Sequence, residues 1–336
     1  GRLGWAAVDE LGLPPDHPDV ASLSSELAGA ARDKADYPKA LELQQRALAI
    51  RTAVFGEQHP AVAADLTNIA IIRFYMGDGE QAKELQQRAL ATREAAFGSD
   101  HPNTAQAVDT LGSFHFALGD NEGAKALYLR ALKLRERVLR PDHPDLASTL
   151  TNLGNACVAT GDTANGVAHN RRALAIRERA GADSLEVGES LNNLAIALTR
   201  AGEFDEAGAL LRRAIEIKTK RLGADHPTVA NSWSSLGAVH SALRERDAAV
   251  DAYRNALQIK QARLGAEHPE VAAELSNLGT ALLAVGSYAE ARTLGERALA
   301  IRERVFGSEH AQVAQSLHLL GLVDLESGDP AAAVRG

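Results

Sequence analysis

Histidine is the side chain most readily drawn into metal binding or proton exchange near neutral pH. In this chain of 336 residues it recurs at a fixed interval. His17, His59, His101 and His143 lie 42 residues apart, each followed by proline; His-Pro returns at His226 and His268, and His310 precedes Ala311. Ser184 takes the histidine's place in one copy, and 336 is eight times 42. A row of imidazoles invites a metal or pH-sensor reading. Equivalent residues in stacked helical units, however, sit about 9–10 Å apart per packed helix. Two ligands of one zinc each lie about 2.1 Å from it. The row is therefore expected to serve structure. His115 and His240 fall at packed positions and read as satisfied core groups, while His169 and His318 have no evident acidic or cysteine partners.

Other chemistry is equally thin. The chain has no Gly-rich phosphate loop, His-Glu-x-x-His or Gly-x-Ser-x-Gly. Its carboxylates recur with the repeat and do not converge on one place, so no general acid–base pair is indicated. We expect no catalytic site, no cofactor and no metal. A net charge of −8 disfavours a grip on nucleic acid phosphates or anionic lipid. No apolar run approaches the roughly 20 residues of a membrane span, and Gly1-Arg2-Leu3-Gly4-Trp5 lacks the regions of a secretory signal. The single Cys157 suits a reducing compartment, so a cytoplasmic location is expected. Arginine outnumbers lysine 28 to 8, which with the alanine richness fits a GC-rich bacterial genome.

A period near 42 marks a repeat array in place of two or three globular domains. In the second copy Pro60 suits a first helical turn. Ala61 to Met76 has no breaker, Gly77-Asp78-Gly79 ends the run, and a second helix follows from about Glu80 to Ala96. Each copy thus reads as a helical hairpin. At about 100° per residue, positions 7, 10, 11 and 14 after the histidine form the packed face, holding Leu150, Leu153, Gly154 and Cys157 in copy four and Trp233, Leu236, Gly237 and His240 in copy six. Second helices carry alanines seven apart, such as Ala82 and Ala89, expected to form the seam between hairpins. Two arginine rows on the same helices, one through Arg46, Arg88, Arg130, Arg172, Arg213 and Arg297 and one through Arg51, Arg93, Arg135, Arg177 and Arg302, read as a solvated or ion-paired outer edge.

Leu-x-Asn-Leu-Gly, then Gly-Asp, then two alanines seven apart, resembles the tetratricopeptide repeat, and Trp233 stands where that family often has tryptophan. The longer period, the opening His268-Pro269-Glu270-Val271-Ala272 and the closing Arg297-Ala298-Leu299-Ala300-Ile301-Arg302-Glu303-Arg304 resemble the kinesin light chain subtype across essentially the whole chain. The resemblance implies an all-α fold, a right-handed α-solenoid of antiparallel helical hairpins. Residues 1–16 read as the tail of a preceding repeat, with Trp5 to Leu11 ending its second helix. Residues 17–336 read as eight repeats opening at 17, 59, 101, 143, 184, 226, 268 and 310, with one residue deleted near Gly181 and the last repeat truncated after Ala331-Ala332-Ala333-Val334. Neither end carries a polar cap, so a segment of a longer protein is expected. Bacterial repeats of this subtype often follow a STAND-type nucleotide-binding switch domain, which makes a sensor or regulatory arm of a signalling ATPase the implied role. A stand-alone cargo or assembly adaptor, and a scaffold that self-associates end to end, remain open.

Positions 5, 9, 12 and 16 lie opposite the packed set and would line the concave surface of such a superhelix. They are amides, hydroxyls and small residues with few charges. Asn68, Asn152, Asn193 and Asn277, with Asn155 and Asn231 nearby, could hold the main chain of an extended peptide, because an amide both donates and accepts. In kinesin light chain-like proteins the Asn of Leu-x-Asn-Leu faces the cargo groove, and the carry-over lands on Asn68, Asn152, Asn193 and Asn277; Thr110, Ser235 and Leu319 interrupt it. The alternative is that these amides bond neighbouring helices and fix the stacking. Chaperone-type relatives grip a terminal carboxylate with Lys and Arg, but here Arg200 is almost alone, and the basic positions that take acidic cargo are mostly missing. A neutral or mildly apolar protein or peptide ligand is expected. Phe74, Tyr75 and Phe116 could form an anchor pocket for a partner side chain, with core packing the alternative for Phe74 and Phe116.

Overall fold

A histidine before a proline makes a helix start. In the computed structural model of the chain, which describes residues 14–328, the Nδ1 atoms of His17, His59, His101, His143, His226, His268 and His310 accept the backbone N–H two residues on, at 3.1–3.3 Å. Each ring therefore caps a helix, a job usually given to Ser, Thr, Asp or Asn. The proline after six of them lacks the N–H that would otherwise go unpaired. Ser184 performs the same task in its copy, its Oγ accepting from Val187 N–H at 3.3 Å. An imidazolium cannot accept, so the cap exists only while the ring is neutral.

Among the described residues these starts produce fifteen α-helices in hairpin order. They are α1 (Pro18–Asp33), α2 (Tyr37–Phe55), α3 (Pro60–Tyr75), α4 (Gly79–Phe97), α5 (Ala105–Ala117, after a 3₁₀ turn Pro102–Thr104), α6 (Asn121–Glu136), α7 (Pro144–Ala159) and α8 (Thr163–Ala180). There follow α9 (Leu185–Ala201), α10 (Phe204–Leu222), α11 (Pro227–Ala242), α12 (Arg246–Leu264), α13 (Pro269–Ala284), α14 (Tyr288–Phe306) and α15 (Ala311–Glu326). Odd-numbered helices open a repeat and even-numbered ones close it. The expected helix tail at Trp5 to Leu11 and the helix start at Ala331 lie outside the described residues. The chain divides into two units, residues 1–176 and 177–336, with the boundary inside α8. Each unit is a stack of antiparallel hairpins, the α-solenoid arrangement.

The alanine rows build the seams as expected. Ala40, Ala82 and Ala124, then Ala47, Ala89, Ala131 and Ala173, are all fully buried in the first unit, as are Ala207, Ala291, Ala214 and Ala298 in the second. Hairpin turns use glycine at positive φ, from Gly77 at +91° to Gly286 at +80°. Two copies lack it: Ala35 and Arg244 hold φ of +58° and +60° instead, a region that costs a residue with a Cβ about 1–2 kcal/mol.

The second arginine row is not an outer edge. Arg51, Arg135, Arg177 and Arg302 reach from the closing helix of one repeat to the opening helix of the next, meeting Asp65, Thr149, Ser190 and Ser316. Lys218 and Lys260 continue the row, to Ser232 at 2.9 Å and Glu274 at 3.0 Å. In copy three the matching residue is Ala107, and Arg93 takes the Asn103 carbonyl at 3.2 Å. Lys218, Lys260 and Arg302 are buried and the other members half-buried, since a long cation can leave a helix and still find oxygen on the far side of the seam. Burial pushes Arg93, Arg177, Lys218 and Arg302 below their ordinary values, and it raises the Asp65 carboxyl despite the Arg51 beside it.

The first arginine row zips the outer faces of successive closing helices. Arg130 meets Glu94 at 2.6 Å, Arg172 meets Glu136 at 2.5 Å and Arg213 meets Glu178 at 2.5 Å. His115 and His240 are not core groups: each is partly exposed and bonds an acid of its own hairpin turn, His115 to Asp120 at 2.7 Å and His240 to Glu245. Arg73 does the same with Asp78 at 3.1 Å.

Three outcomes follow for stability. Replacing His143 with Ala should cost about 1 kcal/mol in urea unfolding, whereas His143→Asn should cost little. Arg244→Gly should stabilise the fold by up to about 1 kcal/mol once glycine's extra freedom in the unfolded chain is counted, read as a higher urea midpoint. Ser232→Ala leaves the Lys218 ammonium, 4% exposed, with the Thr228 carbonyl at 3.5 Å. It should destabilise by about 1–3 kcal/mol, and adding Lys218→Met should recover most of that loss.

Candidate functional site

The face opposite the packed side of the opening helices is built from short polar side chains. In the first unit it carries Asn68 and Tyr75 on α3 and Asn152 and Asn155 on α7; in the second, Asn193 and Arg200 on α9, Asn231 on α11 and Asn277 on α13. Asn68, Asn152, Asn155 and Asn193 are half-buried, while Arg200, Asn231 and Asn277 are exposed. Four hydroxyls on this face bond within their own helices. Thr110, Ser113, Ser235 and Thr280 each donate to the carbonyl four residues back, at 2.9–3.1 Å.

The amides behave differently. Among the described residues the side chains of Asn68, Asn152, Asn155, Asn193 and Asn231 bond to no neighbouring helix, and Asn277 Nδ2 donates only to Glu274 of its own helix, at 3.4 Å. Each amide thus keeps donor and acceptor capacity directed outward. In copy eight, Leu319 turns into the core and is buried, so the polar row has no member there. Arg200 has no ion-pair partner among the described residues.

Phe74 and Tyr75 meet edge to face at 6.4 Å, and each also stacks on a further ring. Phe74 is half-buried and stacks on Phe114 at 5.2 Å, against a cluster that includes Ala70 and Ala82. Tyr75, 58% exposed, stacks on Tyr37 at 5.6 Å and 7°. Phe116 is 36% exposed and makes no ring contact among the described residues. The pairing of Tyr75 with Tyr37 joins two repeats and has no signature in the period of either.

Two depressions flank this face. One of about 350 Å³ in the second unit is walled by Asn277, Thr280 and Ala284 on α13 and by Tyr253 on α12. The Tyr253 hydroxyl bonds Ser241, and burial raises its pKa. Its ring lies where a Cβ on Gly237 would come within 2.8 Å, so glycine there lets the tyrosine pack flat on α11. Another, of about 610 Å³ in the first unit, opens at the start of α5 between Arg93, Arg135, Gln106 and Asp145. The sequence reading missed Arg93 and Arg135 here because it placed them on the opposite side. Among the described residues no three His, Cys, Asp or Glu side chains gather to hold a metal, and no helix is long and apolar enough to cross a membrane.

Comparison with known proteins gives the same repeat. The tetratricopeptide repeat pattern matches at residues 19–78, 64–112, 107–179, 153–220, 186–262, 228–300 and 270–335. No curated protein sequence matches the chain. Solved structures of similar fold include TPR-like repeats of kinesin light chain type from Podosopora anserina, 24% identical, covering 61% of this chain and 98% of that one with a TM-score of 0.54. The apo form of RapI covers 94% of this chain and 84% of its own at 14% identity and a TM-score of 0.67. A tetratricopeptide repeat protein from Parabacteroides merdae covers 90% and 98% at 17% identity and a TM-score of 0.61. Helical hairpins throughout the described residues, buried alanines at every seam and seven matches spanning the array carry one conclusion: the chain belongs to the tetratricopeptide repeat family.

Proposed function

We propose that the chain is a non-catalytic scaffold that holds an extended segment of a partner protein by its main chain, on the asparagine-bearing faces of the opening helices. The observation that carries this reading is the contrast between neighbours. Thr110, Ser113, Ser235 and Thr280 spend their hydroxyls on their own helix, whereas among the amides only Asn277 has a partner there. A stacking role would tie those amides to the adjoining helix. A ligand's backbone needs one donor and one acceptor per residue, which an amide supplies together. The sparse charge on the face favours a neutral or mildly apolar segment, with the exposed Tyr75 packing beside it.

The wider role proposed is that of a sensor or regulatory arm of a larger bacterial signalling protein with a STAND-type ATPase domain, working in the cytoplasm. A cargo or assembly adaptor is the second reading, and end-to-end self-association the third. A phosphate-binding loop upstream in the full-length gene supports the first over the second. Light scattering at high concentration tests the third, since a monomer excludes it. For the face itself, Asn152→Leu and Asn193→Leu, one in each unit, should abolish capture of the cellular partner with an unchanged helical melting curve. Undiminished capture by both variants would return these residues to a purely structural role.

A further inference from the structure

The repeats supply their own controls for the opposite face. Where successive closing helices are zipped by an arginine and the glutamate of the preceding repeat, the residue beneath them is sealed. Val108 lies under the repeat that carries Arg130–Glu94, Leu150 under Arg172–Glu136 and Leu191 under Arg213–Glu178, all fully buried. At Leu275 the two matching positions are Gln261 and Arg297, which form no ion pair, yet the leucine is fully buried; Arg254 and Glu290 join the same two closing helices elsewhere, at 3.2 Å. Between α10 and α12 the same two positions are Thr219 and Asn255, which cannot form the pair. A cleft of about 830 Å³ lies between these helices, and Trp233, only half-buried, is part of its lining. A similar gap of about 690 Å³ opens between α2 and α4, where Arg88 faces Thr52, but its leucine floor is 5% exposed. The α10–α12 cleft is the one that presents an aromatic surface, walled by Ile215, Ile259 and Ala262.

We propose that this cleft is a second docking site, which receives a short amphipathic helix of a partner protein with its apolar side chains on Trp233. Both walls are helices whose main chain is already bonded, so an extended segment would find few partners for its own N–H and C=O groups. A helix satisfies those internally and brings only side chains. The walls run from Arg212 to Lys220 and from Asn255 to Ala262, about 10–12 Å at 1.5 Å per residue, or two turns. Two parallel helices form a trough into which the ridges of a third can settle. Charge completes the specification. On the rim, Arg212 and Glu216 stand one turn apart with no ion-pair partner among the described residues, whereas Lys220 is near Asp183 at 3.6 Å and Asp225 is bonded by Arg263. The fitting helix carries an acid opposite Arg212 and a base opposite Glu216, flanking apolar residues spaced three and four apart.

The test uses the full chain and a stapled helical peptide of about four turns built to that pattern, with a scrambled-stripe peptide as control. Trp233 emission, identified by its loss in Trp233→Phe, should shift to the blue saturably with the patterned peptide alone. The paired variant Thr219→Glu with Asn255→Arg rebuilds the ion pair of the neighbouring repeats and should weaken binding about tenfold or more, with helical content unchanged. Arg212→Glu should also weaken it and be rescued by a peptide carrying a base at the facing position, which keeps the test open should the paired variant fail to fold. No saturable shift, equal binding by the scrambled peptide, or full affinity in both variants would overturn the proposal. A Trp233 shift that appears with protein concentration alone would also overturn it, by making a second copy the occupant.

Discussion

Neighbouring helices in each unit meet at rows of alanine methyls that are closed to solvent. Alanines such as Ala82, Ala89, Ala214 and Ala298 are fully buried where one helix crosses the next. Interiors pack at crystal-like density, so one added methylene there forces a shift of side chains or backbone. That closeness decides where the remaining groups can go. Long cations cannot lie in the seam and must span it, as Lys218 and Arg302 do to reach Ser232 and Ser316. Some large rings lie against glycine, as Tyr253 does against Gly237.

The polar contacts across the stack do a different job from the apolar ones. Buried Lys218 and Arg302 find hydroxyls, and losing them to apolar residues of similar shape would cost little; a lone surviving partner is what costs. What the cations supply is register, since each reaches one particular oxygen in the next repeat. The outer arginine–glutamate pairs are partly exposed and contribute modestly. Val108, Leu150 and Leu191 beneath them are fully buried, whereas Trp233, beneath Thr219 and Asn255, is half-buried.

The sequence carried those parts of the fold that repeat in residue type. His-Pro starts, turn glycines and paired alanines are visible because each copy solves the same local problem with the same residue. The cation row was misread for two reasons. It changes from arginine to lysine at Lys218 and Lys260, which breaks the pattern by eye. A single-helix wheel also shows where a side chain leaves the helix, not that a long one bends across to the next repeat. The outward asparagines could be placed by periodicity, but their lack of partners depends on distances between helices that no period encodes. Tyr75 meeting Tyr37, and Phe74 choosing Phe114 over Phe116, are likewise facts of packing between copies.

The shortened fourth copy has a consequence beyond its own hairpin. Arg177 meets Ser190 across 13 residues, where the equivalent contact of Arg302 with Ser316 spans 14. The missing residue is absorbed at the hairpin end, and the partner oxygen stays in place. Chain length and stack position are therefore uncoupled at these junctions. Misaligned recombination between such similar gene segments, with its breakpoints at hairpin ends, would yield products that gain or lose a whole repeat and still fold. An array built this way can change its reach without redesigning a single interface.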